Sequence, residues 1–285
     1  MALFRPKKDE CEICNKFKEG YISEEDFNIH TAKKKEARVE LEKDKENERF
    51  LYTVDLQAVL LSPKSNISSL YYKTKLCVHN LCYFDMNNKD GFCYLWHEGE
   101  GGLNAEEFSS CFHYFIENQI IPFINEEKRK IVFWSDGCTY QNRNTVLANV
   151  ALNLAKQYQI TIEHKFLEVG HTQMPVDSMH STIERRMKNR RIHIPAEYAF
   201  HKKARLHPRP YNVKYVDHNF FKSFKNIQTV KSIRPGRKPG EAKVIISKLI
   251  CIVQKAFILL LIILNFIFFF VLCNRHSWFK VYARG

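Results

Sequence analysis

The chain has 285 residues, with 44 Lys and Arg against 31 Asp and Glu, a formal net charge of +13. That length suits one ordinary domain with appendages, and the charge suits a polyanionic partner such as nucleic acid or an anionic membrane surface. The 9 cysteines are odd in number and scattered, and the polar start MALFRPKKDE reads as no secretory signal. Together these argue against a disulfide framework and for a reducing compartment.

Residues 1–22 hold Cys11-Glu-Ile-Cys14, the spacing of a metal-binding knuckle. With His30 these make three ligands of a zinc pattern, where a structural site wants four; no fourth stands nearby in sequence. Two incidental thiols are the alternative. Residues 23–49 are densely charged without Gly or Pro. They predict an exposed helix held by Glu–Lys pairs four residues apart rather than by a core.

From 50 to 215 the pattern becomes globular. FLYTVDLQAVLL predicts a strand with Asp55 in its middle. YYKTKLCVHNLCYFDM and FCYLWHE, joined by the turn NNKDG, predict a hairpin. Asn104 stands where it would cap the helix AEEFSSCFHYFIEN, whose Phe108, Cys111, Phe112 and Phe115 share a face. IVFWSD is a strand, TVLANVALNLAKQY a helix, ITIEHKFLEV a strand, and VDSMHSTIERRMKNRR a helix with a basic end. Residues 216–248 form a basic linker, 249–273 an apolar helix, and 274–285 a basic tail.

The order βββαβαβα is that of a ribonuclease H-like mixed α/β sheet, here with an N-terminal charged helix and a C-terminal hydrophobic helix. Ligands in such sheets collect at the carboxyl ends of strands near the switch in direction. Asp136 stands at one such end and Asp55 in the neighbouring strand. An acid inside an apolar strand is costly unless it is paired. A solvent-facing position for Asp55 and a turn-capping role for Asp136 are the plainer alternatives. Glu107 lies on the helix after the third strand. Asp177, His180 and Glu184 share one helical face, and His171 sits in a loop just upstream. Glu184 also stands four residues from Lys188, a surface pairing. His171 and His180 are candidates for proton transfer or for lining a nucleic-acid channel, with ordinary polar packing as the alternative.

The pieces VDLQAVLLSPK (54–64), SLYYKTKLCVHNL (69–81), AEEFSSC (105–111), SDGCTYQNRN (135–144) and GHTQMPVDSMHSTIER (170–185) carry a resemblance, as does KKDECEIC (7–14). The chain resembles an uncharacterised, transposon-derived group of proteins with a ribonuclease H-like, transposase- or integrase-like domain. The resemblance spans most of residues 7 to 230. It implies that Asp55, Asp136 and Asp177 match that group's acidic positions and Glu107 its helix acid, with Glu184 as the rival third acid of an Asp-Asp-Glu arrangement. The implied cofactors are two Mg²⁺ or Mn²⁺ ions serving a nuclease or strand-transfer reaction. A catalytically inactive DNA- or protein-binding remnant is the alternative.

For nucleic acid, the basic run 184–210 offers Arg185, Arg186, Lys188, Arg190, Arg191, Lys202 and Lys203 to phosphates. Asn142 and Arg143 stand just beyond Asp136. Ala256 to Cys273 is an 18-residue uncharged stretch, near the lower limit of ~17–25 for a spanning helix. Read as written, residues 249–273 make a single-pass membrane anchor. Read as a retained intron or gene-model artefact beginning near Lys243, they leave a nuclear protein.

Overall fold

The computed structural model describes residues 10–71, 73–125, 129–199, 210–227, 230–232, 245–246 and 278–282. Helix α1 (Glu12–Lys18) begins at Cys11, and α2 (Glu24–Asn47) begins at Ser23, whose Oγ accepts the Asp26 amide. The sheet strands are β1 (Phe50–Leu56), β2 (Leu60–Ser62), β3 (Leu76–Asp85), β4 (Gly91–His97), β5 (Lys130–Ser135), β6 (Thr161–Phe166) and β7 (Asn212–Tyr215). A short helix α3 (Ser68–Tyr71) follows β2; α4 (Ala105–Phe115), α5 (Thr145–Tyr158) and α6 (Pro175–Met187) are the longer connections. A small pair, β8 (Val230–Ser232) with β9 (Ile245–Ile246), stands outside the main sheet, and β10 (Trp278–Tyr282) joins it.

The main sheet is mixed, in the order β10-β6-β5-β1-β3-β4-β7, with β2 also on β3. Strand β1 is its pivot, parallel to β5 on one side and antiparallel to β3 on the other. The predicted alternation of strands and helices is what forms. One predicted strand, 50–61, is instead two. It breaks at buried Gln57, whose Oε1 accepts from Asn80 Nδ2 at 2.9 Å, and β2 then pairs with the outer half of β3. The Gln57 backbone amide also donates to the Asn80 carbonyl at 3.0 Å, so backbone and side chain tie the two residues together at the end of β1.

Period-2 alternation sends the two faces of the sheet to two cores. Tyr52, Val54, Ile131 and Phe133 meet α4 and α5 through Phe108, Cys111, Phe112, Phe115, Leu147 and Leu154. This face is aromatic: Tyr83 stacks on Phe115 with centroids 4.2 Å apart, and Tyr52 meets the same ring edge-on at 5.0 Å. Each such pair contributes about 0.5–1.5 kcal/mol beyond area burial. Leu51, Val132 and Trp134 point the other way, toward Val176, Met179 and Ile183 of α6 and Leu41 of α2.

Helix α2 is therefore not the exposed, self-supporting helix that its charge predicts. Leu41, Asp44 and His30 are buried. Trp134 Nε1 donates to Asp44 Oδ2 at 2.7 Å, and Lys165 Nζ lies 2.8 Å from that oxygen and 2.9 Å from Glu40 Oε1. Burial alone would lower the Lys165 pKa, but the hydrogen bonds to Asp44 and Glu40 and the nearby carboxylates outweigh it and raise it. Asn104 holds the position before α4 but its side chain makes no cap; it donates instead to Glu107 Oε1.

Among the described residues no helix is long and apolar enough to cross a membrane. The predicted apolar helix 249–273 lies outside the described residues, as do Lys202 and Lys203.

Candidate metal centres

Two groups of metal-ligating side chains assemble on the α2/α6 side of the sheet, by different routes. The first follows from strand register. β1 and β5 run parallel with Val54 beside Ser135, so Asp55 and Asp136 come next, side by side, past the paired ends. Alternation continues the face of Leu51 and Thr53 to Asp55, and that of Val132 and Trp134 to Asp136. Helix α6 covers that face and brings Asp177 and His180, one turn apart. One ligand atom each from Asp55, Asp177 and His180 lies within 4.8 Å of the others, and His180 Nδ1 is 3.8 Å from Asp55 Oδ2. Burial, then the neighbouring Asp136 and Asp177 carboxylates, push the Asp55 carboxyl up to about 7. A carboxyl so disfavoured as an anion is one that a cation would relieve.

Neighbouring groups hold these acids in place. Asp136 Oδ1 accepts from Asn142 Nδ2 at 2.7 Å and from the Cys138 amide at 3.2 Å, so the turn-capping role is real. Asp177 Oδ2 accepts the Met174 amide at 2.7 Å, closing the start of α6. Ser135 Oγ lies 2.8 Å from His164 Nε2, and full burial drops His164 to about pKa 3. That pair is sealed inside the sheet and braces the strand end behind Asp136.

The other sequence candidates fall elsewhere. Glu107 belongs to neither group: its Oε1 accepts the Gly102 amide at 3.2 Å, which ties the loop before α4. Glu184 is exposed, and among the described residues its side chain meets Gln57 Nε2 at 3.5 Å. Asn142 is buried as a brace of Asp136 rather than presented to a ligand, and Arg143 lies over the Phe166 ring at 5.6 Å. Arg185 lines a groove with Phe84, Lys89, Ser178, Ser181, Thr182 and Tyr211, one flank of α6 away from Asp177 and His180. Arg186 is half-buried, whereas Lys188, Arg190 and Arg191 are exposed.

The second group is Cys11, Cys14, His30 and His171, with one ligand atom from each within 4.8 Å of the others. Three of these follow from sequence spacing. The fourth does not: His171 is a neighbour of the knuckle, not of the acids to which its loop suggested it belonged. Cys14 and His171 are 157 positions apart, a separation that no local pattern reports. The signal that was present is Gly170, with φ +77° and its backbone against Cys11.

Residues 104–233, less than half of the chain, match the model of a domain of unknown function (DUF8701). That span carries Asp136, His171, Asp177 and His180; Cys11, Cys14, His30 and Asp55 precede it. No curated protein matches the chain, and no solved structure does.

Proposed function

We propose that this is a transposon-derived, ribonuclease H-like domain that binds nucleic acid and cleaves or transfers phosphodiesters with divalent metal. The observation that carries the reading is the convergence of Asp55, Asp177 and His180 from a strand and a helix, with Asp136 on the adjoining strand end and Asp55 raised to about 7 by burial and by the Asp136 and Asp177 carboxylates. The strand order β6-β5-β1-β3-β4, with an antiparallel trio preceding the parallel extension, supports the fold assignment. Asp55 and Asp136 stand at the carboxyl ends of the pivot strand β1 and its parallel neighbour β5, where open α/β sheets receive ligands.

The donor set fits hard divalent cations, Mg²⁺ or Mn²⁺: carboxylate oxygens, with His180 as a borderline donor that Mn²⁺ accepts more readily. Bound there, such ions supply Lewis-acid stabilisation and activation of water or a 3′-hydroxyl. The chain's own residues orient the ligands. Asn142 and the Cys138 amide fix the Asp136 carboxylate, the Met174 amide fixes that of Asp177, and His180 stands at the edge of Asp55. Glu107, committed to its own loop, has no part in this chemistry, and Asp177 is preferred over exposed Glu184 as the third acid. The exposed Lys188, Arg190 and Arg191 offer phosphate contacts.

The test is nicking or strand transfer on labelled DNA duplexes with Mg²⁺ or Mn²⁺, in the full-length chain and in Asp136→Asn. Metal-dependent products that vanish in the variant are expected; products that persist remove Asp136 from the centre. A second reading has one observation of its own: Asp136 and Asp177 each spend an oxygen on capping, as acids in a silent remnant would. It expects salt-dependent DNA binding with no metal-dependent products from the wild-type chain.

A further inference from the structure

We infer that Cys11, Cys14, His30 and His171 form a closed, four-ligand zinc site that staples the N-terminal helices to the loop between β6 and α6. It is independent of the phosphodiester reading, and its ligands share no side chain with the acid group.

Geometry is the first argument. An ion at the centre of a regular tetrahedron, with metal–nitrogen lengths of ~2.0–2.1 Å and metal–sulfur lengths of ~2.3 Å, holds nitrogens ~3.3 Å apart and nitrogen–sulfur pairs ~3.6 Å apart. In the structure, His30 Nε2 and His171 Nε2 are 3.2 Å apart. The sulfur–nitrogen distances are 3.3 Å for Cys11 to His30, 3.7 Å for Cys14 to His30 and 3.3 Å for Cys14 to His171. Two S–H groups could each serve one imidazole, but that leaves the two Nε2 atoms facing each other at 3.2 Å; four heteroatoms turned toward one point, at the corners of a metal tetrahedron, are what a single ion accounts for.

The surroundings are the second argument. Both imidazoles aim Nε2 inward. His30 is 4% exposed, and its Nδ1 lies 3.4 Å from Glu168 Oε1. A carboxylate behind a ligating histidine is how proteins set the ring and its tautomer. Arg38 Nη2 donates to the His171 carbonyl at 2.9 Å, fixing the loop from α2. A Cβ on Gly170 would stand 2.7 Å from Cys11 Sγ and 3.0 Å from its Cα, so the close approach admits only glycine. Two thiolates and two imidazoles are a soft, closed donor set, which suits structural zinc and leaves no position for substrate.

The placement gives the site its consequence. Glu168 to His171 lead into Met174, whose amide is held by Asp177 at the start of α6. Zinc here positions that lead-in from outside the acid group and takes no part in its chemistry.

The experiment uses the full-length chain. Elemental analysis is expected to find about one zinc per chain, falling at least tenfold in Cys14→Ser and unchanged in Asp136→Asn. Cobalt(II) replacing zinc is expected to show tetrahedral bands with thiolate charge transfer. His171→Cys should keep the ion and raise the charge-transfer intensity about 1.5-fold, three thiolates for two, which keeps the test valid if Cys14→Ser fails to fold. Glu168→Gln should weaken metal affinity ~10–100-fold. Chelation should speed amide exchange at 167–180 and leave the β3–β4 hairpin unchanged. A chain that takes up neither zinc nor cobalt, or cobalt bands untouched by His171→Cys, overturns the site. Exchange at 167–180 that ignores chelation overturns its positioning role.

Discussion

The acid group and the Cys/His group sit on the same side of one sheet, yet they are built on opposite principles. The acids converge because secondary structure brings them together: two adjacent parallel strands end in register and one helix lies across them. The soft ligands converge only because two distant segments, an N-terminal helix pair and a loop 157 positions on, meet in space. The first group carries the cost of burial and of neighbouring carboxylates, seen in the raised Asp55 carboxyl; the second gathers sulfur and imidazole ligands that a single ion would organise. A cost carried in the apo fold marks a place for chemistry, whereas a closed set of ligands marks a place for architecture.

The sharpest way to break the comparison is Asp136→Asn. If the acids serve a metal-dependent reaction, its loss is worth several kcal/mol, or about 10³-fold in rate; product formation on labelled DNA measures it. Next in size is Asp44→Ala, which removes both carboxylate bonds to Lys165 and the acceptor of Trp134, leaving Glu40 and Glu163 beside the ammonium. Removing one partner of a buried pair costs up to about 3–5 kcal/mol, and the remaining carboxylates reduce this to about 2–3; a clear drop in the urea midpoint is expected, and an unchanged midpoint would mean that α2 is not docked as described.

A third prediction turns on sign. Asp55 rises from the ordinary 3.8 to about 7, so across that window the folded chain keeps a proton that the unfolded chain releases. Stability therefore falls as pH climbs from 4 to 7 and levels off above. At 1.36 kcal/mol per unit the ceiling is about 4 kcal/mol, cut to about 1–2 because the side chain is not fully buried. Asp55→Asn should stabilise the metal-free protein by that amount at pH 8 and by little near pH 4. Manganese should raise the melting temperature of wild type and not of the variant. Thermal melts at both pH values decide it. The smallest effect belongs to Glu184→Gln, under about 0.5 kcal/mol in stability and none on DNA products; a large loss of products would restore Glu184 as the third acid.

Much of this was readable from the residues. The succession of strands and helices and the hairpin turn follow from periods of two and 3.6, because each signal is local; that Asp55 meets Asp177 and His180 is decided by how α6 lies on the sheet. Helix α2 hid its contact. Its inward stripe runs His30, Ala37, Leu41, Asp44, a heptad-like spacing with a single large apolar residue, and 13 other charged residues of the helix drown it. Asp44 reads as one more surface acid until Lys165 and Trp134 are placed beside it. His171 was hidden for another reason: Gly-His-Thr has a plausible role wherever it lands, and only the fold decides which cluster it joins. The break in the first strand at Gln57 likewise depended on Asn80, a partner 23 positions away.

Docking of α2 bears on how the protein is handled at the bench. Expression starting at Phe50, where the globular pattern opens, would expose the underside of Trp134 and take Asp44 and Glu40 from Lys165, leaving it Glu163 at 3.6 Å. Such a fragment should precipitate or swell, and its failure would say nothing about the proposed activity. Cloning should begin upstream of Cys11.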